Sequence, residues 1–119
     1  MVAPDGFAQQ DRLAVLKRSM NISIHGDTLS IEGVKELSAA NASAFRDEVR
    51  TAMREPLRNI EIDLSQALFL DSCGLGVLVA LHKTACNRNG LVRLINPAPA
   101  VRQILELTRM HRIFEVVKL

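Results

Sequence analysis

The sequence has no tryptophan and no tyrosine, and its four phenylalanines bring the aromatic share to only 3%. A core must therefore be built from Leu, Ile, Val and Ala, and no aromatic platform exists for stacking nucleic-acid bases. Cysteine is equally scarce. Cys73 and Cys86 lie 13 positions apart on one predicted helix, a separation of roughly 20 Å at 1.5 Å rise per residue, so the two thiols cannot pair. Free thiols agree with a reducing compartment. No Cys-x-x-Cys pair occurs, and His25, His82 and His111 fall on three different elements, which argues against structural zinc. Uncharged apolar runs stay well short of the roughly 18 residues a membrane helix needs, and the N-terminus lacks the pattern of a signal peptide. Basic residues are dispersed and the net charge is only +2, so a nucleic-acid backbone is not an expected partner. These absences leave a single cytoplasmic domain, with no membrane partner, whose chain of 119 residues supports one modest core.

The stretch that stands out is Leu68-Phe69-Leu70-Asp71-Ser72-Cys73-Gly74-Leu75-Gly76. Before it, Asn59 to Leu64 alternates polar residues with Ile60, Ile62 and Leu64, as a strand with one buried face requires. After it, Leu75, Leu78, Val79 and His82 recur at helical spacing and the run to Leu81 carries no charge, which predicts a largely buried helix from Ser72 to about Asn87. Asp71 and Ser72 thus stand at a helix N-terminus, where unpaired amides and the helix dipole favour an anion. Gly74 and Gly76 each lower helix propensity by about 1 kcal/mol relative to alanine, so another requirement, such as close approach of a second surface, keeps them there. On its own, Asp-Ser-Cys-Gly is also an ordinary N-cap.

The rest of the chain supplies the context. Residues 1–19 read as a frayed N-terminal extension, with an extra strand or a helix turn as the alternatives, ahead of a domain spanning 20–119. Met20 to Ile24 and Thr28 to Glu32 form a hairpin around His25-Gly26-Asp27. A helix follows, capped by Ser38, Asn41 or Ser43, with Ala42, Phe45, Val49 and Met53 on one face, and it ends before Pro56. Beyond the Ser72 helix, Asn89-Gly90 is a stop and Leu91 to Ile95 a buried strand. Pro99 opens a helix with Val101, Ile104, Leu105 and Thr108 on its apolar face, and Ile113 to Val117 is a final strand. The order β-β-α-β-α-β-α-β predicts an α/β fold in which a mixed sheet carries helices stacked on one face.

Asp63-Leu64, the Phe69 to Gly76 block, Gly90, Pro97, Ile104-Leu105 and the terminal strand, in that order of elements, resemble a STAS domain. The similarity runs from about Met20 to Leu119 and is narrower still to the stand-alone anti-sigma factor antagonists of bacteria. The resemblance implies a non-enzymatic regulator without a cofactor of its own. It binds an anti-sigma factor that is itself a serine kinase of the histidine-kinase-like ATPase fold, and so frees a sigma factor. Ser72 matches the serine that this kinase phosphorylates with its own ATP and Mg²⁺, and a serine phosphatase reverses the modification. Asp71, Ser72, Cys73, Gly74, Leu75 and Gly76, with Glu36 and Ser38, are the partner-binding positions the resemblance implies.

Two departures are visible. Cys73 stands where the family usually has Ser or Thr. The family's Gly-Glu-hydrophobic-Asp motif is represented by Gly33-Val34-Lys35-Glu36-Leu37-Ser38, in which Glu36 matches only across a two-residue insertion and Ser38 replaces the aspartate. Three other readings compete. The domain could be a STAS interaction module of a larger assembly that is never phosphorylated. Cys73 could be a redox-sensing thiol activated by the helix N-terminus, against which stands its expected role as a small buried residue filling a serine-sized site. Hydrolase chemistry at Ser72 is disfavoured, because Leu70 occupies the first glycine position of Gly-x-Ser-x-Gly and His82 lies nearly three turns along the same helix.

Overall fold

A computed structural model describes residues 20–119 of the chain; the expectations for residues 1–19 lie outside the described residues. Five strands form one sheet in the order β1-β2-β4-β6-β7: Asn21–His25, Thr28–Glu32, Asn59–Asp63, Val92–Ile95 and Glu115–Val117. Strand β1 runs antiparallel to β2, and every other pairing in this sheet is parallel. Gly26, with φ +64°, makes the two-residue hairpin turn sterically free.

Among the described residues three helices follow the predicted order: α1 (Ala42–Ala52), α2 (Ser72–Cys86) and α3 (Pro99–Leu107). Pro99 occupies the first turn of α3, where its missing N–H is no loss. Thr108 is not part of the apolar face of α3; it ends the helix, and its hydroxyl donates to the Ile104 carbonyl at 2.7 Å. A short 3-10 turn, Met110–Arg112, then leads into β7.

Strand periodicity explains the layering. Leu29, Ile31, Ile60, Ile62, Val92 and Leu94 are aligned in register and fully buried, and they meet Phe45 and Val49 of α1, Leu78 and Leu81 of α2, and Val101 and Leu105 of α3 in one core. The intervening positions put Ser30, Glu61, Arg93 and Glu115 in a single polar rung on the opposite face. The helices therefore cover one face of a mixed sheet.

Two further strands, β3 (Glu36–Leu37) and β5 (Phe69–Leu70), pair in parallel as a separate two-stranded sheet. They are too short for periodicity to reveal them. Their consequence is local: they tie the connection that leads into α1 to the connection that leads into α2.

The end of α2 separates two roles the sequence places side by side. Asn89 takes the left-handed conformation, with φ 60°, and Gly90 N–H closes on the Ala85 carbonyl at 2.8 Å. Gly90 is required for another reason, since a Cβ there would overlap the Arg58 carbonyl.

Candidate functional site

Asp71 is the N-cap of α2, extended at φ −111° and ψ −172°. Its carboxylate is held from two directions: Oδ1 accepts the Gly74 N–H at 3.0 Å, and Oδ2 accepts the Ala39 N–H at 3.0 Å from the loop before α1. The Gly74 and Ala39 amides hold this carboxyl below its ordinary value of 3.8, so it is ionised at neutral pH. Asp71 therefore both caps the helix and fastens the neighbouring loop to it.

Ser72 and Cys73, the first two residues of α2, are both exposed. The stripe that α2 buries begins only at Gly74 and continues through Val77, Leu78, Leu81 and Ala85. This corrects the expectation that Cys73 fills a buried serine-sized space. It also moves the buried face away from the predicted Leu75, Val79 and His82 positions, which flank the core half-covered. Cys73 and Cys86 are both free thiols.

The two glycines of the block have different surroundings. A Cβ on Gly74 would overlap the Leu37 carbonyl and stand 2.7 Å from Leu70 Cδ1, so the helix lies directly on the β3–β5 pair. Gly76 is exposed, and a Cβ there would meet nothing within 4 Å. The fold itself makes no demand for glycine at this second position.

The loop carrying Glu36 and Ser38 is beside Asp71 and is internally braced. Ser38 is buried, and its hydroxyl donates to Glu36 Oε2 at 2.8 Å and accepts the Ala40 N–H at 3.2 Å. Asn41 stands at the N-cap position of α1 but makes no cap bond. Its side chain instead accepts the Ser38 N–H at 2.9 Å and donates to the Glu36 carbonyl at 2.8 Å. Glu36 is exposed, whereas Ser38 faces into the loop and orients it. The structure thus brings all the predicted positions into two adjoining segments, 36–41 and 71–76.

The sequence reading missed the apolar part of this surface. Leu68 is 80% exposed and Phe69 55% exposed, immediately before Asp71. Alternation along β5 turns Leu70 into the core and Phe69 out of it. Three consecutive apolar residues beside a polar cap were the available signal, since a strand with one buried face should not carry them all.

Neither candidate base for hydrolytic chemistry is directed at Ser72. His82 packs edge-on against Phe114 with ring centroids 5.7 Å apart and lies 3.5 Å from Cys86 Sγ. His111 Nδ1 is 3.4 Å from the Leu105 carbonyl oxygen. Among the described residues, no group of three or more His, Cys, Asp or Glu side chains is arranged to hold a metal ion, and no helix is long and apolar enough to cross a membrane.

Residues 19–119 match the family model of the STAS domain. The chain is 33% identical over 89 residues to a STAS-domain containing protein of Pseudomonas aeruginosa, an alignment covering 75% of this chain and 85% of that protein. It is 31% identical over 83 residues, covering 69% of this chain and 74% of the relative, to a Thermotoga maritima protein whose name assigns it provisionally to the anti-sigma factor antagonists. In fold it is similar to the anti-sigma factor antagonist SpoIIAA in its unphosphorylated form, with a TM-score of 0.73 at 20% identity, covering 84% of this chain and 87% of that one. The phosphorylated form of SpoIIAA gives a TM-score of 0.67 at 19% identity, over 84% of this chain and 90% of that one. With the order of elements and the mixed sheet in agreement, the chain belongs to the STAS domain family, among relatives that carry the name anti-sigma factor antagonist.

Proposed function

We propose that this protein is an anti-sigma factor antagonist that works by partner switching, with Ser72 as the phosphorylated residue. In this reading the unmodified surface docks an anti-sigma factor serine kinase, which supplies ATP and Mg²⁺; the chain contributes a hydroxyl and no catalytic group. A serine phosphatase restores the docking state. The observation that carries the reading is the exposed Ser72 hydroxyl at the start of α2, beside an ionised Asp71 and an exposed Leu68–Phe69 pair.

The physics of the switch follows from those neighbours. An apolar pair and a neutral hydroxyl can be desolvated together at modest cost. A phosphoryl group on Ser72 adds about −1.5 to −2 charge at the same spot. Asp71 already carries a negative charge held there by two amide N–H groups, so the added charge meets repulsion. Burying that dianion against a partner costs roughly several kcal/mol, enough to change affinity by more than tenfold. The helix N-terminus accommodates the charge within the chain, so modification alters docking and leaves the fold intact. SpoIIAA, a fold neighbour, is recorded in both unphosphorylated and phosphorylated forms, and both share this architecture.

Intact-mass measurement of protein taken from its native cells tests the reading. A fraction heavier by one phosphoryl group, absent from Ser72→Ala, is expected, together with a nucleotide-binding kinase that copurifies with Ser72→Ala more persistently than with Ser72→Asp. Protein that is unmodified under every growth condition, or modified equally in Ser72→Ala, would instead favour a STAS module that is never phosphorylated. The buried Ser38, standing where the family motif places an acid, is the feature that favours this second reading.

A further inference from the structure

The face of the sheet opposite the helices carries a shallow hollow of about 540 Å³. Two rungs of side chains floor it. The first is the polar rung, in which Arg93 holds Glu61 at 3.1 Å and Glu115 at 3.2 Å. The second lies two residues further along each strand. It is acidic at one end, with Glu32 and Asp63, and apolar at the other, with Ile95 and Val117 beside a 91% exposed Leu119. Four carboxylates against one guanidinium leave the hollow with a net charge of −3. Glu32 and Asp63 make no ion pair among the described residues.

A second surface has the opposite charge. From Arg102 to Ile113 the chain carries three arginines and a single carboxylate, Glu106. Arg109 and Arg112 are exposed and make no ion pair among the described residues. Leu107, 76% exposed, and Ile113, 40% exposed, flank these two arginines. We propose that this chain pairs with a second copy, the Leu107 to Ile113 patch of each seated on the acidic hollow of the other.

Charge complementarity and topology support this occupant. Two guanidiniums without an ion pair meet two such carboxylates, and Leu107 and Ile113 meet Ile95, Val117 and Leu119, so each kind of group finds its match. Within one copy the match is not made, because the patch follows α3 in the helix layer, whereas the hollow is on the open face. Both surfaces border β7, the edge strand of the sheet: the 3-10 turn leads into it, and Val117, its last residue, lines the hollow. A two-fold axis beside that edge therefore forms both contacts at once, in a closed pair.

Sedimentation equilibrium on the full chain tests the proposal at concentrations up to about 1 mM, a range that covers small transient interfaces. A dimer is expected. It should be at least about ten-fold weaker in Arg109→Glu with Arg112→Glu, and likewise in Glu32→Lys with Asp63→Lys, since like charges then face each other. Mixing the two double variants puts opposite charges back across both contacts and should restore the dimer, which also shows that both variants fold. Asp63 accepts the Ser65 N–H at 2.8 Å; if Asp63→Lys lowers the urea midpoint, Glu32→Lys alone takes its place. A wild type that stays monomeric over this range overturns the proposal. A dimer indifferent to either pair of reversals overturns it as well, and so does a mixture that remains monomeric. Neither surface includes Ser72, so every result is independent of whether Ser72 is phosphorylated.

Discussion

The two glycines of the Ser72 helix allow a prediction whose sign changes over two residues. In a helix interior Gly→Ala stabilises by about 1 kcal/mol when nothing obstructs the new methyl group. Gly76 meets that condition, because the space around a Cβ there is open to 4 Å. Gly76→Ala should therefore raise stability by about 1 kcal/mol. Gly74 fails it, because the methyl would overlap the Leu37 carbonyl and press on Leu70 Cδ1 at 2.7 Å. Leu37 cannot easily retreat, since it pairs with Leu70 in the small sheet and its carbonyl accepts the Asp71 N–H at 3.2 Å. Overpacking of this kind costs about 1–3 kcal/mol, and the propensity gain of about 1 kcal/mol offsets only part of it.

The two variants should therefore differ by roughly 1–3 kcal/mol, the overpacking cost alone, which for a domain of about 100 residues is at least about 4 °C in melting temperature. Urea melts of the two proteins and the wild type at neutral pH decide the matter. Equal stability of Gly74→Ala and Gly76→Ala would refute the close packing of α2 on β3, and a destabilised Gly76→Ala would refute its open surroundings. Gly76→Ala has a second use. If the bare helix surface at Gly76 is where a partner rests, this variant folds better and binds worse, a combination that loss of folding cannot produce.

Other consequences can be checked with the same melts. Asp71 and Asp27 both have folded-state pKa values below the ordinary 3.8, Asp71 through the Gly74 and Ala39 amides and Asp27 chiefly through Arg58. Their contribution is therefore complete above the unfolded-state pKa and is lost as pH falls from about 4 through the lower folded values. Asp71→Asn should flatten the decline of the urea midpoint across that window and leave the part due to Asp27. Arg109 holds a left-handed conformation, φ 60°, just after α3, so Arg109→Gly should stabilise by about 0.5 kcal/mol, read as a higher midpoint at unchanged slope. Leu78 is fully buried between α2 and the sheet, and Leu78→Ala should destabilise by about 2–5 kcal/mol. Ser72→Asp, at an exposed first-turn position, should stay within about 0.5 kcal/mol of wild type in the same assay.

Much of this architecture was legible because one-sided burial writes a period into the chain. Ile60 and Ile62 alternate with Glu61 and Asp63, and Ala42, Phe45, Val49 and Met53 recur at helical spacing; all six apolar residues are buried in the folded protein. The helix start at Asp71 was equally readable, since a capping carboxylate acts on amides within three residues of itself. Periods and caps are local, and local chemistry is what an isolated sequence determines.

Contacts between distant segments were decided only by the tertiary structure. Nothing near Cys73 in sequence says that the buried stripe of α2 begins one residue later. That boundary depends on where Leu37, far back in the chain, brings its carbonyl against Gly74. Strands of two residues are too brief to show a period, so the β3–β5 pairing, the exposure of Phe69 and the bond from Ala39 to Asp71 came into being only when two connections met. The sequence by itself determined the layers and the helix that Ser72 opens. Which surface surrounds Ser72 was decided by folding, because hydrogen bonds and steric overlap depend on distance in space and not on separation along the chain.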